Sequence, residues 1–105
     1  MREVPVATLA EVPDGSMKRV EVDGEGVCLY NVGGEIFASL DVCPHRGAPL
    51  SAGELYDGVV MCPFHAWEFD VRTGECVSLP ETRPLARLGV RVDGDLVKVV
   101  LDATT

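Results

Sequence analysis

Five turn dipeptides cut this chain into short apolar runs and confine it to a β-rich fold. Asp23-Gly24, Gly33-Gly34, Asp57-Gly58, Thr73-Gly74 and Asp93-Gly94 supply residues that tolerate positive φ, which tight hairpins require. Between them lie strand-length runs over 4–9, 17–22, 27–32, 35–39, 59–61, 66–71, 86–92 and 96–101, rich in β-branched and apolar residues. Only 8–12 hints at a helical turn, and no longer stretch carries an amphipathic helical period. The pattern predicts an all-β sandwich or barrel. With 105 residues there is room for one core, so the chain is expected to be a single domain over 1–105.

Residues 41–54 break the strand pattern. Pro44, Gly47, Pro49 and Gly53 mark a structured loop, and Cys62 with Pro63 opens a second. Both loops carry ligand-type side chains: Cys43-Pro-His45 in the first and Cys62-Pro-Phe-His65 in the second. Functional groups are commonly displayed on loops held by a rigid scaffold.

Four cysteines could form two disulfides in a secreted domain. The opening residues show no basic segment followed by an apolar one, so a secretion signal is not expected. Metal ligation is then the readier use, and the cytoplasm the expected compartment. No run approaches the length of a membrane span, so no membrane partner is expected. Seventeen acidic residues against nine basic ones give a formal charge of −8. Nucleic acid is disfavoured, because phosphate binding draws its affinity from clustered Lys and Arg.

Two loops with one thiolate and one imidazole each match what a two-iron centre with unlike irons needs. Cys43 and Cys62 would take one iron, His45 and His65 the other. Two ferric ions, two sulfides and two thiolates sum to zero if the imidazoles are neutral, so the oxidised centre accepts an electron readily. The competing reading is zinc, for which a Cys₂His₂ set also serves. Zinc sites usually pair like ligands at wider spacing, whereas here each pair mixes types and Cys-x-His is tight.

C-P-H-R-G-A-P-L-S-A-G over 43–53 and C-P-F-H-A-W-E-F-D-V-R-T-G over 62–74 resemble the two cluster-binding boxes of the Rieske iron–sulfur family. The resemblance implies one Rieske 2Fe–2S cluster on Cys43, His45, Cys62 and His65. It also implies a Rieske fold: three stacked antiparallel sheets with a small cluster-binding subdomain at about 41–79. Cytochrome bc-type members carry a disulfide across the two boxes. Ala48 and Phe64 stand at the matching positions, and the bc-type's Ser and Tyr hydroxyl donors are replaced by Trp67 and Phe69. Without those donors the reduced cluster is less stabilised, and the potential is expected near ~−150 mV, the low end of the family.

The chain thus looks like a soluble low-potential Rieske ferredoxin. It is expected to pass single electrons from a flavin reductase to a terminal ring-hydroxylating oxygenase, docking transiently. A small subunit of an assimilatory nitrite reductase is similar in length and in His65-Ala66-Trp67, and a structural or regulatory module is a third reading. No enzyme activity of its own is expected. Both histidines are committed to the cluster, leaving none for acid–base work or for an oxygenase iron site. Of the remaining residues, Cys28 is expected in the core and Cys76 as a partly exposed thiol. Arg46 is a candidate for shaping a docking surface, and Trp67 is expected to pack behind the second loop.

Overall fold

The computed structural model describes residues 2–44, 47–63, 67–78 and 84–101. Nine strands are present among them: β1 (Arg2–Thr8), β2 (Met17–Val22), β3 (Glu25–Val32), β4 (Glu35–Leu40), β5 (Glu54–Tyr56), β6 (Val59–Met61), β7 (Glu68–Asp70), β8 (Arg87–Asp93) and β9 (Leu96–Leu101). Short 3-10 turns occupy Leu9–Glu11 and Leu50–Ala52. The hairpin turns take the backbone their sequences demand. Asp23 and Gly24 have φ of 53° and 84°, Asp57 and Gly58 49° and 79°, and Gly33 and Gly34 64° and 95°.

Six strands form one hydrogen-bonded array in the order β1-β9-β8-β4-β3-β2, and three form a second, β5-β6-β7. All pairings are antiparallel. The larger array is joined at its middle through a short ladder, Ala38↔Leu88 and Ser39↔Arg87, extended by Leu40 N–H donating to the Ala86 carbonyl at 2.9 Å. At that seam it divides into two faces that pack on each other. Ala7, Val97 and Val99 from one half meet Val22, Val27, Leu29, Ile36 and Ala38 from the other in a single core. The three-stranded sheet covers the opposite side of β3, where Val60 and Phe69 pack with Cys28 and Tyr30. The result is three stacked antiparallel sheets, as the resemblance implied.

β3 is therefore the middle wall. Its pleat sends Val27 and Leu29 into one core and Cys28 and Tyr30 into the other, which explains an unbroken buried run in a strand flanked by turns. Cys28 is a core residue, as expected. Each fully buried aliphatic side chain here contributes about 1.5–3 kcal/mol of transfer free energy. The buried polar groups are matched. Tyr30 Oη and Ser39 Oγ lie 2.8 Å apart, and Asn31 Nδ2 donates to the Val12 carbonyl at 2.7 Å. Among the described residues no helix is long and apolar enough to cross a membrane.

Three expectations need correction. Strand β5 was not anticipated, because the Pro- and Gly-rich run before it reads as loop and its single inward residue, Leu55, gives little alternation. Of the strand expected over 66–71, Ala66 lies outside the described residues and the described part is confined to β7, with Val71 already in a turn. Cys76 is 1% exposed rather than partly open. It bridges to Phe69, and Val77 N–H donates to the Glu68 carbonyl at 2.8 Å. The segment after the Thr73-Gly74 turn thus folds back along β7 and carries Cys76 inward.

Candidate metal centre

The first loop leaves β4 and is closed on itself by backbone bonds. Cys43 N–H donates to the Ala48 carbonyl at 2.8 Å, and Gly47 N–H donates to the Cys43 carbonyl at 2.7 Å. Gly47 has φ of 75°, a conformation that L side chains resist. The loop ends in the Leu50–Ala52 turn, where Leu50 is fully buried.

The second loop is the β6–β7 connection. Cys62 follows β6 directly and Trp67 precedes β7, and Cys62 N–H donates to the Trp67 carbonyl at 2.7 Å. Trp67 is partly buried and packs against the core that contains Cys43 and Cys62. The loops are held in mutual register by β5 and β6, whose pairing sets Glu54 opposite Met61.

Of the four ligand candidates, Cys43 and Cys62 are described, and His45 and His65 lie outside the described residues, as do Arg46, Phe64 and residue 79 of the expected subdomain. The two cysteines are brought together: each is 1% exposed, and both belong to the core that also contains Ala48, Leu50, Val60 and Phe69. Neither is in a disulfide. Ala48, at the position where bc-type proteins carry a bracing cysteine, fills its place as a buried methyl group.

The donor chemistry fits a two-iron cluster. A site walled by apolar side chains penalises net charge. The neutral sum of two ferric ions, two sulfides and two thiolates suits it better than the doubly negative all-cysteine equivalent. Cys28 lies in the same core on β3, outside both loops, and burial pushes its thiol up to about 12, which keeps it protonated as a packing group.

One feature beside the loops was not anticipated from sequence. Asp41, at the entry to the first loop, is 2% exposed and accepts from Ser51 N–H at 2.7 Å and from Ser51 Oγ at 2.6 Å. The available signal was slight: an acidic residue between the apolar end of β4 and Cys43.

A family model described as "Rieske [2Fe-2S] domain" matches residues 2–95. The chain belongs to the Rieske family. Membership carries one Rieske-type 2Fe–2S cluster. The Rieske chain is 40% identical over 97 residues to the ferredoxin component of biphenyl 2,3-dioxygenase from Rhodococcus jostii, covering 92% of this chain and 91% of that protein. Among solved structures it is similar to the ferredoxin of carbazole 1,9a-dioxygenase from Nocardioides aromaticivorans IC177, with a TM-score of 0.88 and 33% identity, covering 97% of this chain and 100% of that one. A complex of reduced oxygenase and oxidized ferredoxin in carbazole 1,9a-dioxygenase contains a further match, with a TM-score of 0.86 and 36% identity, covering 92% and 91% of the two chains. These Rieske relatives are electron-carrying components of dioxygenase systems rather than catalytic oxygenases.

Proposed function

We propose that this protein is the ferredoxin of a ring-hydroxylating oxygenase system, accepting single electrons from a flavin reductase and delivering them to the terminal oxygenase. The observation that carries the reading is the near full-length likeness to such ferredoxins, joined to two buried thiols at the mouths of two closed loops. Cys43 and Cys62 would hold one iron and His45 and His65 the other, so each loop would supply one thiolate and one imidazole to the cluster. When bound, the cluster takes up and gives up one electron.

The protein's own groups do the rest. Leu50, Val60 and Phe69 exclude water from the thiolate side of the site. The closed backbone of each loop holds its cysteine at fixed spacing, so little reorganisation accompanies a change of charge. Val42, beside Cys43, is 48% exposed and offers apolar surface to a partner one residue from a ligand. The acidic balance of the chain favours basic surface on that partner, in a complex that forms quickly and separates quickly.

The test is reconstitution. Protein prepared without oxygen is expected to contain about two irons and two acid-labile sulfides per chain. Replacing Cys43 or Cys62 by Ser, or His45 or His65 by Ala, should abolish the cluster. Added to a flavin reductase and a ring-hydroxylating oxygenase, the loaded protein should support product formation that the two enzymes lack alone. Zinc in place of iron would overturn the ligand reading. Stable co-purification with a haem-containing reductase would overturn the partner reading.

A further inference from the structure

The first loop is fastened at both ends by one buried carboxylate. Asp41 stands at its entry and Ser51 at its exit, and the two Ser51 donors described above bind one oxygen each of the Asp41 carboxylate. A third donor arrives from β2: Arg19 Nη1 reaches Asp41 Oδ2 at 2.6 Å. The Asp41 side chain is 0% exposed, whereas that of Arg19 is 46% exposed.

The path of Arg19 is built into the sheet. Its guanidinium crosses β3 over Gly26, where a Cβ would collide with it. The Gly26 carbonyl in turn accepts Asp41 N–H at 2.9 Å. The absent side chain at 26 leaves the channel through which a strand residue grips the loop. Glu21, at 3.9 Å from the other Arg19 nitrogen, is largely exposed and so more strongly screened by water.

We propose that the Arg19–Asp41–Ser51 clasp is a positioning element for the cluster, fixing the loop that carries Cys43 and His45 and setting a balanced pair of opposite charges beside it. The proposal rests on the ligand reading given above. Asp41 is two residues from Cys43, so removing either charge of the pair leaves the other uncompensated near the site. A reduced cluster is more negative than an oxidised one. An unbalanced Asp41 therefore disfavours reduction and an unbalanced Arg19 favours it.

The experiment compares loaded wild-type protein with Arg19→Gln, Asp41→Asn, the double variant and Ser51→Ala, by midpoint potential and by the rate at which a chelator bleaches the cluster. Arg19→Gln is expected to lower the midpoint, Asp41→Asn to raise it, and the double variant to return toward wild type. Ser51→Ala removes a hydrogen bond but no charge. It is expected to speed bleaching severalfold with the midpoint unmoved. Should Asp41→Asn fail to fold, Arg19→Gln and Ser51→Ala still decide the matter, because Arg19 is half exposed and Ser51 loses a single oxygen. Shifts of the same sign in both charge variants, or midpoints and bleaching rates equal to wild type, overturn the proposal. If iron remains bound when Cys43 or Cys62 is replaced, the ligand reading fails first and this one with it. Unaltered variants of a normally loaded protein overturn this one alone.

Discussion

Gly53 and Met61 approach so closely that a Cβ on Gly53 would fall inside the Met61 carbonyl oxygen. The contact joins the end of the first loop to the residue that precedes Cys62, across the first pair of the β5–β6 ladder. Gly53 has φ of −90°, which other residues reach without difficulty, so close packing alone demands glycine here. Gly53→Ala should force the loops apart and cost about 2 kcal/mol or more of stability. A thermal unfolding midpoint equal to wild type, with the cluster retained, would show that the approach tolerates a methyl group.

Burial raises the Cys28 thiol from an ordinary 9.0 to about 12. Its thiolate is thus formed more easily in the unfolded chain than in the folded one. The associated stability is fully present below pH 9 and is lost as pH climbs toward 12. Tyr30 is pushed upward by the same burial from 10.0, so its contribution begins to fall away only above pH 10. Denaturant titrations from pH 8 to 10 should show stability declining in the wild type and a shallower decline in Cys28→Ala. Identical slopes would exclude Cys28 as the source.

The positions that carry hydroxyl donors in bc-type Rieske proteins hold Trp67 and Phe69 here, and Phe69 is fully buried in the core of the two loops. With no phenol or serine at these positions to stabilise the reduced state, the midpoint is expected near ~−150 mV. Protein-film voltammetry checks this, and a value above zero would contradict it.

A formal charge of −8 makes association with a basic partner surface sensitive to salt. Raising ionic strength from about 0.01 M to 0.15 M shortens the screening length from about 30 Å to 8 Å. The second-order rate of electron delivery to an oxygenase should fall steeply over that range. A rate independent of salt would point to docking through apolar contact alone.

Most of the architecture was legible because turn chemistry and alternation are local signals. The glycine-bearing hairpins stand where the dipeptides put them, and β2, β6 and β9 span the residues expected. What escaped depends on tertiary pairings that no local pattern announces. Cys76 looks polar in context, yet its position is set by pairing with Phe69 across a turn. Asp41 reads as a loop acid, and its burial is intelligible only once Arg19, on another strand, and Ser51, ten positions on, close around it. The cysteines of the site were legible as a spaced pattern, and the structure adds that both enter one apolar core. The histidines, outside the described residues, rest on sequence alone.

Arg2 pairs with Leu101, so the first and last strands run side by side in the layer that lies across β3 from the cysteines. A fluorescent label carried on this strand pair, at the exposed Arg2 for example, would sit on the layer away from the two cysteines. The loops that carry Cys43 and Cys62 would be left unaltered by such a label.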